Sequence, residues 1–155
     1  MSQQSTWTLY KQFTSSTANA VPVIESIIDQ LRRDNWSSRD IFGIHLAVEE
    51  AVVNAVTHGN HEDEEKLVDV ACQIQDDHFS IEVIDQGTGF DSRRIPDPTS
   101  NARLDVEHGR GVLLMNVMMD RVEYLGRGNH LVLKKRRSGC DLSDTSAVEL
   151  ALPEA

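Results

Sequence analysis

Along residues 6–13 apolar and polar positions partly alternate, with Trp7, Leu9 and Phe13 on one side, which predicts a first strand. The period then lengthens. Ser15, Ser16 and Asn19 offer helix caps, and Val21, Ile24, Ile27, Ile28 and Leu31 recur at helical spacing. Pro22 is read as lying in the first turn, where proline is tolerated, and this helix is expected to end near Asp34–Asn35. Ser37 and Asp40, three apart, resemble a capping box at the start of a long second helix from about Ser38 to His58. Its buried stripe is Ile41, Ile44, Val48, Ala51, Val52 and Ala55, and Gly59-Asn60 is its stop signal.

The acidic stretch His61 to Glu65 reads as a loop. Residues 67–75 and 79–85 then alternate on either side of Asp76-Asp77 and predict a β-hairpin. Residues 91–108, with Pro96 and Pro98, show no clean period; a loop that long in a small domain is usually functional or disordered. Gly109-Arg110-Gly111 opens a third helix carrying Val112, Leu113, Met115, Val117 and Met118. Two more strands follow at 121–125 and 130–136, joined by Gly126 to Asn129, and Lys134 to Arg137 reads as the solvated end of the last strand. From Ser138 to Ala155 there is no Lys or Arg, and a mobile or weakly packed acidic tail is expected. Helices are grouped rather than alternating strictly with strands, so the order β-α-α-β-β-loop-α-β-β favours a two-layer α+β sandwich over a doubly wound sheet.

Charge and composition narrow the function. The 155 residues suit one compact domain, and their net charge of −10 argues against DNA or RNA as the main ligand, because a phosphate backbone must be met by positive charge. One small nucleotide needs only a local site and stays possible. Cys72 and Cys140 have no close spacing and offer neither a disulfide framework nor a zinc pattern. Met1 to Thr8 lacks the apolar stretch of a signal peptide, and no run of about 20 apolar residues exists to span a membrane, so a cytoplasmic location is expected.

Three groups of residues could carry chemistry. Glu50 and Asn54, four apart, share one face of the second helix at the border of its buried stripe. A carboxamide oxygen there can ligate Mg²⁺, and a carboxylate can act as general base. Asp85 ends an apolar strand and precedes Gly87 and Gly89; the acid can accept a hydrogen bond from an exocyclic amine, and the glycines let backbone approach a ligand. Gly109-Arg110-Gly111 opens a helix whose N-terminal N–H groups suit phosphate, with Arg110 as a planar fork. Each has an ordinary alternative: a solvated helix face, a glycine turn, a glycine-rich helix entry. The His61–Glu65 run is not H-E-x-x-H, and neither a P-loop, a three-glycine dinucleotide fingerprint nor a G-x-S-x-G elbow is present.

Their order decides between these readings. Glu49 to Gly59 resembles the N-box of the GHKL (Bergerat-fold) ATP-binding superfamily, Asp85 to Phe90 its first glycine box, and Gly109 to Met115 its second. The loop between the boxes stands where the family has its ATP lid. Within the superfamily the chain most resembles the stand-alone bacterial anti-sigma-factor serine kinases, given the bare length and Glu50-Ala51-Val52-Val53-Asn54-Ala55 in the helix. The resemblance implies a mixed, mostly antiparallel sheet covered on one face by about three helices, a domain over 1–137 and an acidic tail over 138–155. It implies ATP and Mg²⁺ as cofactors, Glu50 as the base that activates an acceptor serine, Asn54 as the Mg²⁺ ligand and Asp85 as the adenine acceptor. Gly87 and Gly89 shape the adenine pocket, Gly109 and Gly111 admit the phosphates, and His58 lies by them. It further implies a sigma factor and a STAS-type anti-anti-sigma protein as partners, and a homodimer. Glu107-His108 stands where some members have Arg-Ser, and Asn129-His130 where some have threonines. The competing reading is an ATP-binding partner switch with little phosphotransfer.

Overall fold

The computed structural model describes residues 5–87 and 108–139, the segment 108–112 by its backbone alone. The expected loop up to residue 107, Gly89 and the tail from residue 140 lie outside the described residues.

Five strands form one open sheet: β1 (Trp7–Thr14), β2 (Leu67–Ile74), β3 (His78–Ile84), β4 (Arg121–Leu125) and β5 (His130–Arg136). They lie in the order β1-β2-β3-β5-β4, and every pairing among the described residues is antiparallel. Period-two alternation does the work that the sequence predicts. Val68, Val70, Cys72 and Ile74 of β2, Phe79, Ile81 and Val83 of β3, and Leu131 and Leu133 of β5 are all buried in the core. The hairpin register pairs Val70 with Val83 and Ile74 with Phe79, and Gln75 N–H closes the Asp76-Asp77 turn on the His78 carbonyl at 2.8 Å.

Helices α1 (Thr17–Arg33), α2 (Ser38–Asn54) and α3 (His108–Met118) supply the second layer. In α1 the buried set is Ala20, Val23, Ile24, Ile27, Ile28 and Leu31, while Val21, expected in the stripe, is half exposed. Pro22 lies in the second turn of α1, not the first, on the exposed side of the helix. The stripe of α2 is as expected at Ile44, Val48, Ala51 and Val52, with Ala47 added and Ile41 only partly buried. In α3 Met115 is buried, but Leu114 and Val117 face outward.

Three local features differ from the sequence reading. The second helix does not run as an α-helix to His58: Ala55–Gly59 forms a π-helical turn, closed by Asn60 N–H on the Ala55 carbonyl at 2.9 Å. The Ser37 hydroxyl does accept the Asp40 N–H at 3.1 Å, but the Asp40 carboxylate finds its main partners elsewhere. It is almost fully buried and takes both the N–H (2.8 Å) and O–H (2.5 Å) of Ser138, with Lys135 at 4.0 Å. The basic run is accordingly not a solvated strand end. Arg137 lies over the Trp36 ring at 5.3 Å and donates to the carbonyls of Asp34, Asn35 and Asp76. Ser138, expected to open a loose tail, is thus anchored to the start of α2.

Candidate nucleotide site

The site grows from the point where the end of α2 meets the end of β3. Glu50 and Asn54 sit one turn apart on α2, both half-buried, as their spacing predicts. Glu50 faces the edge strand β4: burial, and secondarily the Glu50 carboxylate, push the Tyr124 hydroxyl up to about 12. Beyond Asn54 the chain widens into the π turn, which carries the exposed His58 and delivers Gly59 under β3.

Asp85 follows directly on β3. Its backbone is held to the β4–β5 turn, with Asp85 N–H on the Asn129 carbonyl and the Asn129 carboxamide on the Asp85 carbonyl, both 2.9 Å. Its carboxylate accepts the Gly87 N–H at 2.8 Å. Burial raises its pKa above the ordinary aspartate value, against the pull of the Gly87 N–H and of the cations Arg127 and Lys66. An acceptor held this way, in a pocket that disfavours its charge, is well placed to take a hydrogen bond from a neutral amine.

Gly59 and Gly87 are glycines for a steric reason. A Cβ on Gly87 would run into the Gly59 carbonyl, and a Cβ on Gly59 into the Asp85 carboxyl group. Backbone therefore packs on backbone between the N-box helix and the first glycine box.

Asn60 secures this junction, and sequence reasoning saw in it only a stop signal. It is fully buried. Its carboxamide donates to the Ser15 hydroxyl at 2.7 Å and to the Leu67 carbonyl at 3.0 Å, and it accepts the Gln86 N–H at 2.8 Å. Gln86 in turn accepts the Leu67 N–H at 2.7 Å. One side chain ties β1, β2, the π turn and the segment after Asp85 together. The only sequence signal was an amide beside a glycine, which is also common in plain turns.

The second glycine box opens α3, as expected. Met118, at the end of α3, lies against Gly43 in the second turn of α2, 3.4 Å from where a Cβ would stand. Since α3 packs along α2, contact at that end means the helices run antiparallel. At about 1.5 Å per residue, the backbone of Gly109, Arg110 and Gly111 falls level with the α2 turn that carries Glu50. The N-terminus of α3 is thereby brought to the same end of the molecule as Glu50 and Asn54. Gly89 lies outside the described residues.

Fold and site together define an α+β domain whose three glycine- and acid-bearing motifs converge between a helix pair and one end of an antiparallel sheet. Comparison with known proteins agrees. The sequence profile of the histidine kinase-like ATPase domain matches residues 13–135. The chain is 34% identical over 102 residues to an anti-sigma F factor of Clostridium beijerinckii, covering 63% of this chain and 71% of that protein. It is 31% identical over 133 residues to the anti-sigma F factor of Clostridium novyi, covering 81% and 91%. In fold it is similar to a crystal structure of the RsbU and RsbW domains of Rv1364c from Mycobacterium tuberculosis, with a TM-score of 0.57, 17% identity and 84% of this chain covered. This chain spans 31% of that one. The protein belongs to the histidine kinase-like ATPase family, on the GHKL branch that holds the anti-sigma factors.

Proposed function

We propose that this protein is an ATP-dependent protein-serine kinase and anti-sigma factor of a partner-switching module, acting in the cytoplasm as a homodimer. Its partners in this reading are a sigma factor, which it sequesters, and a STAS-type antagonist, which it phosphorylates on serine. The names of its anti-sigma F relatives support the first partner. Among the described residues no helix is long and apolar enough to cross a membrane. The observation that carries the proposal is the pairing of Glu50 with Asn54 on a helix whose end is locked against Asp85 and Gly87.

In this reading Asp85 accepts from the adenine amine, Gly87 and Gly89 line the base, and the start of α3 with Arg110 and His58 meets the phosphates. Asn54 holds Mg²⁺ through its carboxamide oxygen. Among the described residues no cluster of three His, Cys, Asp or Glu gathers, and a single hard-oxygen donor suits an ion that keeps waters and substrate phosphates in its shell. Mg²⁺, when bound, neutralises phosphate charge. Glu50 takes the proton of the acceptor serine as its oxygen bonds to the γ-phosphorus and the bond to the bridging oxygen of ADP breaks.

The test combines protein, Mg²⁺, labelled ATP and the candidate antagonist, and follows label on serine. Glu50→Ala is expected to keep ATP binding and to lose at least about a hundredfold in transfer, the range for removal of a general base. Unchanged transfer would remove Glu50 from the mechanism. ATP binding without transfer in the unaltered protein would leave a partner switch that acts by binding alone.

A further inference from the structure

One side of the sheet has no second layer among the described residues. Alternation sends Phe79, Ile81, Val83, Leu131 and Leu133 into the core beneath the helices. Their neighbours in β3 and β5, and the matching residues of β4, project from the opposite side. The register sets that side in rows. Ser80, Lys134 and Arg121 stand next to one another, and the following row is Glu82, Val132 and Glu123. His130 belongs to the row after that, with Asp69 two strands away, while Arg136 lies at the other end, opposite His78.

This side differs in charge from the molecule as a whole. The chain carries a net charge of −10, so two copies repel each other over most of their surface. The open side carries the cations Arg121, Lys134 and Arg136 and the carboxylates Asp69, Glu82 and Glu123, and with its histidines neutral it has no net charge. The signs are also sorted along the strands: the cations hold one end, and the carboxylates hold the middle and the other end. Part of this polar equipment is unmatched. Lys134 makes no ion pair among the described residues. Arg121 pairs with Glu123 through a terminal nitrogen, yet its Nε is buried and has no hydrogen-bond partner among the described residues. The same holds for His130 Nε2, which lies 3.5 Å from the Glu82 carboxylate without making a hydrogen bond.

We propose that this side is covered by a second copy of the chain; the inference rests on the homodimer of the proposed function and names the face through which it forms. A two-fold axis lying across the strands, between the Lys134 row and the Glu82 row, turns each row onto the other. Each Lys134 then stands over the copy's Val132, between its Glu82 and Glu123. Each Arg121 stands opposite the copy's Glu123, an acceptor for Nε once the guanidinium turns outward. Every contact occurs twice, as a self-complementary interface requires. At about 4.8 Å per strand and about 3.3 Å per residue, the side measures roughly 24 by 23 Å. That is roughly 550 Å² before side-chain relief, against about 800 Å² per partner in a stable interface, so nearly the whole side takes part. Opposed charges fix the register of the two sheets and exclude contacts through the acidic remainder of the surface.

Sedimentation velocity on the full chain, over a range of protein concentrations, tests this directly. The unaltered chain is expected to dimerise at micromolar concentration. Lys134→Glu alone and Glu82→Lys alone should each weaken the dimer at least about tenfold, because each sets like charges against one another twice. Mixed in equal amounts, the two variants should recover the affinity of the unaltered chain. In the mixed pair the new carboxylate meets the new ammonium, and the unaltered Lys134 meets the unaltered Glu82; recovery also shows that both variants are folded. A mixture that stays monomeric would overturn the proposal. So would a dimer undiminished in both variants, which would leave the homodimer standing on another surface. An unaltered chain that is monomeric at every concentration would remove the homodimer and this face together.

Discussion

Replacing Asn60 by alanine probes how the candidate nucleotide site is held. The substitution removes a fully buried carboxamide that makes three side-chain hydrogen bonds, at 2.7, 3.0 and 2.8 Å. The Ser15 hydroxyl keeps its bond to the Lys66 carbonyl at 2.7 Å, so its loss is one net hydrogen bond, about 1 kcal/mol. The Leu67 carbonyl and the Gln86 N–H are left without the side chain that satisfied them, at about 1–2 kcal/mol each. The sum is about 3–5 kcal/mol, which for a domain of this size lowers Tm by roughly 10 °C. Because Gln86 is the neighbour of Asp85, ATP affinity should fall with it. Asn60→Asp separates packing from hydrogen bonding. It keeps an acceptor for Gln86 but sets carboxylate oxygens against the Leu67 carbonyl in a buried site. Both factors raise its folded pKa, so its stability should fall as pH rises through the ordinary carboxylate range and recover on acidification. Thermal unfolding across pH, with a nucleotide titration alongside, measures all of this. A Tm change under about 3 °C in Asn60→Ala with unaltered ATP affinity would refute the claim that this amide holds the junction.

Three further outcomes follow from the same geometry. Asp40 is buried, which alone would raise its pKa, but the Ser138 O–H and N–H, Lys135 and Ser37 lower it on balance. Its contribution to stability is therefore full above the ordinary aspartate range near 4 and is lost as pH falls through the lower folded value; Asp40→Asn should flatten that acid limb of a stability–pH profile. Asp85 has its pKa raised, so its ionised form costs stability at neutral pH, and Asp85→Asn should raise Tm at pH 7 while weakening ATP binding at least about tenfold, because its one remaining acceptor oxygen is engaged by the Gly87 N–H and an NH2 group is left to face the ligand's amine. Asn54→Ala should weaken binding of Mg·ATP but leave metal-free ATP binding nearly unaltered, and equal losses in both, measured by calorimetry with and without chelator, would take Asn54 out of the metal's shell.

The layers were legible because their signals are periodic. The alternation of β2 and β3 and the stripe of α2 are each carried by residues a few positions apart, and burial of one face enforces them. Glu50 and Asn54 were legible for the same reason, since four residues on a helix are one turn. What could not be read joins residues distant in sequence or depends on one hydrogen bond shifting register. Asn60 meets Ser15 from 45 residues away and Gln86 from 26. The π turn differs from an α turn only in which carbonyl each N–H selects, and Ala55-Val56-Thr57-His58-Gly59 has no composition that marks the choice. Lys135 and Arg137 looked like surface charge because the groups that receive them, Asp40 and the carbonyls after α1, lie about 100 residues earlier.

The backbone contact between Gly59 and Gly87 has a consequence for how the protein acquires its activity. No flexible side chain intervenes to absorb error, so the pocket around Asp85 exists only once the second helix has docked on the sheet. Competence of this candidate site then depends on the packing of the second helix on the sheet. A nucleotide that binds this pocket in the folded state alone would stabilise the whole domain by an amount that grows with the logarithm of its concentration over its dissociation constant.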